Sequence, residues 1–209
     1  MNIKDIIFQF HLKGYGWAES RLSISGQNAG FEVSYLCDPI YDLLQGLLSI
    51  TPEYAAQNFD TKKSESECSF LWRGEPKSYL WNFEVLEKEK LKIRITSSDE
   101  YCGGQYTMDQ MKTPPPDEKI EMDVTCEFHS FLKTVIWEFD RLIKDYGLVR
   151  IDDSWDHSSE GSFPIAAFLK LKHKVLYGSR YPWAEETEKV SCRLKSDLEL
   201  LLIEMPASM

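Results

Sequence analysis

The sequence has no long apolar run, no closely paired cysteines, no excess of positive charge and no loop built to cradle a nucleotide. Each gap removes a class of function. The longest apolar stretches, such as Leu198 to Ile203, fall far short of the roughly 20 residues that a membrane-spanning helix requires. The start Met1-Asn2-Ile3-Lys4-Asp5 has neither a basic n-region nor a continuous apolar h-region, so no secretion signal is expected and the chain is expected to stay in the cytoplasm. Five cysteines, Cys37, Cys68, Cys102, Cys126 and Cys192, are an odd number at wide and irregular spacing, with no C-x-x-C and no nearby Cys/His pair. That is the pattern of reduced, mostly buried thiols, and it excludes a disulfide framework or a cysteine-ligated zinc site.

Catalytic signatures are missing as well. No serine sits in a G-x-S-x-G elbow, Gly103-Gly104 is followed by no P-loop lysine, and no G-x-G-x-x-G follows a strand. The sequence therefore assigns no catalytic residue and no cofactor. Single histidines such as His11, His129 and His173 have no paired base or ligand nearby in the chain, which makes them surface or core-edge residues. The segment Arg150 to Gly161 gathers Asp152, Asp153, Asp156, His157 and Glu160 around Trp155. Its spacing lacks the alternating acids, central glycine and closing glutamate of a calcium loop, so no metal ligands are assigned. The expectation is a solvated loop pinned by the tryptophan.

What the chain does have is the makeup of an ordinary folded protein. Its 209 residues, 43% of them hydrophobic, suit one domain over residues 1–209 that needs no staple. Thirty-four acidic against 24 basic side chains leave a net charge of −10. The average field of such a chain repels phosphate backbones and anionic lipid, so neither nucleic acid nor membrane is expected as a partner, and a basic protein is.

Period-2 alternation marks strands at Ile6 to Lys13, Ala18 to Ser25, Phe31 to Tyr35, Ser69 to Arg73, Tyr79 to Val85 and Leu91 to Ile95, with an edge strand at Ile120 to Cys126. Asp38-Pro39 supplies a cap and a first-turn proline for a helix whose stripe is Ile40, Leu43, Leu44, Leu47 and Leu48. A long helix carries Phe128, Phe131, Leu132, Val135, Phe139, Leu142 and Tyr146 on one face and stops at Gly147. Ser162-Phe163-Pro164 opens a shorter helix from Ile165 to about Leu176, and Ser196 to Met205 reads as a further one in a less regular tail, Gly178 to Met209. Ser97 to Glu118, with its Pro114-Pro115-Pro116, reads as a long surface loop. The expected fold is α+β, an antiparallel sheet of about six or more strands packed by two or three helices.

Three motifs carry a resemblance: Ser34-Tyr35-Leu36-Cys37-Asp38 before a leucine-rich helix, Glu75-Pro76 between two aromatic strands, and Trp155 ahead of Phe163-Pro164. Together they resemble a widespread group of bacterial proteins of uncharacterised function, over roughly residues 14 to 176. In outline the chain is also similar to immunity proteins of bacterial toxin systems, and that similarity implies neutralisation of a basic toxin by complementary charge. The residues expected to bind such a partner are Asp38, Trp72, Glu75, Asp152, Asp153, Trp155, Asp156 and Glu160. Trp72 and Trp155 enter as anchors at an exposed rim, although core packing is the usual reason for such rings. Two alternatives stay open: a hydrolase or cation-dependent phosphoesterase using Asp152, Asp153 and His157, and a self-associating structural protein. The number of copies in the working molecule is not fixed by the sequence.

Overall fold

Alternating side chains build the first strand as its pattern predicts. In the computed structural model, which describes residues 6–55, 66–99, 115–155, 163–182 and 193–206, β1 (Ile6–Gly14) buries Ile6, Phe8 and Phe10 and turns Ile7, Gln9 and His11 outward. Two-residue turns with positive φ at Tyr15 and Gly16, and at Ser25 and Gly26, match the right-handed twist of the strands they join. They connect β1 to β2 (Trp17–Ile24) and β2 to β3 (Gln27–Val33) in one antiparallel sheet. The register aligns Phe8 with Leu22 and Ala29, and Phe10 with Ser20 and Phe31. One face of this sheet is therefore apolar.

A second antiparallel sheet holds β4 (Glu67–Arg73), β5 (Ser78–Leu86), β6 (Lys90–Ser98) and β7 (Lys119–Glu127), in that order. The α+β class holds. The seven described strands, however, form sheets of three and four, where the sequence pointed to one sheet of about six or more. Alternation reports that a strand has one buried face, not which neighbour it pairs with. Here β3 crosses the larger sheet without extending it. The Gln27 carboxamide donates to the Asp123 carbonyl of β7 (3.1 Å) and accepts from the Asp123 amide (3.3 Å), while the Ser34 amide, just past β3, donates to the Arg73 carbonyl of β4 (2.8 Å). β7 and β4 are opposite edges of the four-stranded sheet, so β3 spans it from side to side in a crossed-sheet sandwich.

The core lies between the sheets. Phe31 of β3 packs on Trp72, Tyr79 and Trp81, with ring centroids 5.8, 5.1 and 4.9 Å away. Trp72 and Trp81 touch each other at 4.6 Å, and both are fully buried. Rings at these separations and tilts gain quadrupole attraction beyond their buried area.

Helices close the remaining sides. α1 (Pro39–Ile50) is capped by Asp38, whose carboxylate accepts from the Tyr41 amide (3.0 Å), and Pro39 occupies its first turn as expected. It packs on β4, where a Cβ added to Gly46 would lie 3.0 Å from the Phe70 ring, so glycine sets the approach. After the short α2 (Pro52–Ala55) come α3 (Phe128–Tyr146), α4 (Leu148–Ser154), α5 (Ile165–Tyr177) and α6 (Arg193–Leu202). α3 lies against β1. Its Glu138, buried on the helix, accepts from the Phe10 amide (2.7 Å) and from Arg141, so a side chain answers part of the strand edge that no neighbouring strand covers.

The described helices outnumber the two or three expected. α4 occupies the start of a segment read as loop; seven residues with one buried side chain, Ile151, are too short to show helical periodicity. α5 begins at the expected place, but Pro164 itself takes the cap position and makes no side-chain cap. The amide of Phe163 is bonded instead by Asp152 (2.8 Å). Most of the surface loop expected at Ser97 to Glu118 lies outside the described residues, as do residues 183–192 and 207–209 of the tail; β6 itself continues through Ser98. No helix among the described residues is long and apolar enough to cross a membrane.

Candidate functional site

Four segments distant in sequence meet at the N-terminal end of α1. The indole N–H of Trp155, just past α4, donates to the Cys37 carbonyl (3.0 Å), and the Gly16 amide in the β1–β2 turn donates to the Ser154 carbonyl (3.0 Å). The Cys37 sulfur accepts from the Arg73 amide (3.1 Å) at the end of β4. These bonds fix the loop Ser34 to Asp38 against β4, the first hairpin and α4. Burial pushes the thiol's pKa up to about 12, which leaves little thiolate at neutral pH.

Three carboxylates gather on this frame. Asp38 caps α1 and Asp42 follows one turn later, while Asp152 comes from α4. Burial raises the Asp38 carboxyl above its ordinary value, the Tyr41 amide works against the rise and the charge of Asp152 adds to it. Asp42 is pushed up to about 7, first by burial and then by Asp38, against the opposing pull of Arg73. At neutral pH this group is balanced between charged and neutral forms. Beneath the acids, Leu12, Asp38, Ile40, Ile151, Asp152, Trp155 and Phe163 line a cavity of about 20 Å³, room for a single water and no more.

Around the acids the surface is apolar and exposed. Tyr35, Leu36 and Tyr41 are 37%, 41% and 45% exposed, and Tyr15 in the adjoining hairpin turn is 95% exposed. Leucine is mostly buried in folded proteins and tyrosine is intermediate. Tyr35, Leu36 and Tyr41 lie next to Asp38 and Asp42 along the chain, and Tyr15 sits in the turn whose Gly16 amide bonds Ser154.

The expected site residues divide. Asp38 and Asp152 come together as described, and exposed Asp153 lies beside Asp152 on α4. Trp155 belongs to the same cluster but is buried; its role is to hold the Ser34 to Asp38 loop in place. Trp72 must be corrected. It is 0% exposed, because alternation along β4 turns it inward onto Phe10, Phe31 and Trp81, so it is a core ring and offers no surface to a partner. Glu75 is exposed in the β4–β5 turn, two residues past Arg73. Asp156 and Glu160, with His157, lie outside the described residues.

Sequence reasoning missed Asp42, Tyr41, Tyr35 and Leu36 as parts of the site. A signal was present for Asp42, since its spacing of four from Asp38 places both on one helix face. Also missed was a buried ionic knot among α3, α5 and the end of α6. Lys172 of α5, with no exposed surface, donates to Asp140 of α3 (2.5 Å) and to the Leu201 (3.1 Å) and Ile203 (2.6 Å) carbonyls at the end of α6. Lys144 bonds the other Asp140 oxygen (2.8 Å).

Among the described residues no group of three or more His, Cys, Asp or Glu side chains is arranged to hold a metal ion. Asp38 and Asp152 each commit an oxygen to a backbone amide. The chemistry this arrangement offers is reception of positive charge, with apolar contacts beside it. Set against family models, curated proteins and solved structures, the chain matches none of them.

Proposed function

We propose that this chain is a cytoplasmic protein-binding module of the immunity type, which neutralises a basic bacterial toxin by docking it on the N-terminal end of α1. The observation that carries the reading is the exposure of Tyr15, Tyr35, Leu36 and Tyr41 in segments that adjoin those of Asp38, Asp42 and Asp152. Exposed aromatic anchors next to partly desolvated charge have the makeup of interface hot spots. The net charge of −10 supports the same partner, because a field of one sign steers an oppositely charged protein to the surface and speeds encounter. A lysine or arginine arriving between Asp38 and Asp42 would restore the full charge of Asp42, so docking is coupled to proton release.

The hydrolase alternative has one point in its favour. A carboxyl titrating near neutrality suits a general acid or base, and Asp42 has one. Asp42 is absent from the lining of the neighbouring cavity of about 20 Å³, so that cavity does not bring a substrate to it.

The test is co-purification of the tagged chain from its host at low and at physiological salt, beside a variant carrying Tyr35→Ala, Tyr41→Ala and Asp153→Lys. The expected result is one basic protein, toxic when expressed alone, held by the parent chain and released by the variant. Recovery of no protein partner under either salt condition would count against the proposal, and equal retention by the variant would move the interface elsewhere.

A further inference from the structure

At the far end of α5, about 18 Å from Ile165 by the rise of a helix, a second hollow opens between the last turn of α5 and α6. His173, Tyr177, Tyr181, Glu199, Leu200 and Ile203 are among the residues that line this open hollow of about 280 Å³, close to the lower bound of small-molecule sites at about 300 Å³. Three rings make one wall. His173 stands 4.7 Å from Tyr177 and 5.3 Å from Tyr181, tilted by 51° and 65°, so their planes converge without stacking.

Two of the rings are held in place. The Tyr181 amide is bonded by the Tyr54 hydroxyl (2.7 Å), and the Tyr181 hydroxyl donates to Asp197. His173 Nδ1 lies 3.1 Å from the Ser179 carbonyl; a carbonyl only accepts, so the proton sits on Nδ1. Arg180, which precedes Tyr181 and acts on Tyr54, and two lysines bring positive charge near the hollow, but no Lys or Arg is among the residues that line it. Glu199 lines the hollow and Asp197 stands behind Tyr181, while α5 directs its C-terminal, partly negative end at the same place. Lys174 answers the Gly178 carbonyl but is shared with Glu53, and Lys195 reaches Glu199 only at 3.7 Å in a pair that is more than half exposed. Neither cation lines the hollow.

We propose that this hollow binds a small quaternary ammonium cation. Ring faces carry negative potential and attract a cation lying over them, most strongly one with little hydration to lose. A quaternary nitrogen has no N–H to satisfy. The fixed acceptors beside the rings, the Ser179 carbonyl and Asp197, are already engaged, so a primary ammonium would lose more on entering than a quaternary one. Glu199 supplies the counter-charge at the mouth, and Leu200 and Ile203 meet the methyl groups from below. The site shares no residue with the proposed protein interface and stands or falls separately.

The experiment is calorimetric titration of the full chain with choline, tetramethylammonium, n-butylammonium and 3,3-dimethylbutanol, the last being a neutral carbon analogue of choline. Choline and tetramethylammonium are expected to bind about tenfold more tightly than the neutral alcohol, on the scale of cation–ring attraction in a partly desolvated site. Tyr177→Ala is expected to weaken choline about fivefold; Tyr177 is 57% exposed, so the fold should tolerate the change, which an unaltered melting temperature checks. Glu199→Gln should weaken it about threefold. Equal affinity for the neutral alcohol, tighter binding of n-butylammonium, or indifference to Tyr177→Ala would each overturn the proposal.

Discussion

Replacing Asp42 by asparagine tests the electrostatics of the site directly. The carboxyl titrates near 7 in the folded protein against an ordinary value of 3.8. Between those values the folded state holds a proton that the unfolded state has released, so stability falls as pH rises through this window and levels off above about 7. A shift of about three units corresponds to a ceiling of about 4 kcal/mol. Asp42 is only half buried, and solvent screening reduces the expected effect to about 2 kcal/mol. The amide keeps the shape of the carboxyl and removes its charge. Urea unfolding of Asp42→Asn should match the parent near pH 4 and exceed it by about 2 kcal/mol at pH 8, with a melting temperature higher by about 4–8 °C for a chain of this size. An equal gain at both pH values, or a loss at pH 8, would refute the assignment of burial and Asp38 as the cause.

Other outcomes follow from the same structure. If a basic partner docks on this end, its affinity for the parent should rise between pH 6 and pH 8 as Asp42 gives up its proton, and the rise should vanish in Asp42→Asn; titration calorimetry in buffers of different ionisation enthalpy measures the released proton. Lys172→Met leaves Asp140 with Lys144 alone, takes the side-chain donor from the Leu201 carbonyl and leaves the Ile203 carbonyl with Lys144 at 3.4 Å, so a loss of about 3–5 kcal/mol is expected on chemical unfolding, with faster hydrogen exchange in α6. Gly74→Ala places a Cβ 2.3 Å from the Glu32 carbonyl oxygen and 2.6 Å from that of Lys77; backbone on both sides has nowhere to move, and failure to accumulate as folded protein is the expected result. Cys37, titrating at about 12, should react with a thiol reagent at pH 8 more than about a hundredfold more slowly than the same cysteine in denaturant.

Local chemistry was legible in the sequence wherever one segment decides its own structure. Asp38-Pro39 and the leucine stripe behind it specify α1, and Gly147 ends α3 where its φ is positive. The same rules misplaced features set by distant partners. β3 reads as one more strand of a single sheet, yet its bonds at Gln27 and Ser34 reach both edges of the other sheet. Trp72 beside Arg73-Gly74 reads as a rim residue, yet the register of β4 turns it into the core. Asp140, Glu138 and Lys172 lie on helices where charged side chains usually face water, and only the meeting of α3, α5, α6 and β1 shows why they are inside. At the candidate site, Asp38, Asp152 and Asp153 were read from composition. The exposed tyrosines were not, because exposure of a tyrosine is a property of the assembled surface.

The strand that traverses the larger sheet also sets how the molecule comes apart. A sheet attached along one border can peel away while its neighbour persists. β3 is tethered at both of its ends to opposite borders, with Phe31 wedged among three rings between them. Releasing either tether alone leaves the wedge seated, so the small sheet cannot swing open like a door, and the two layers should melt together as one cooperative unit.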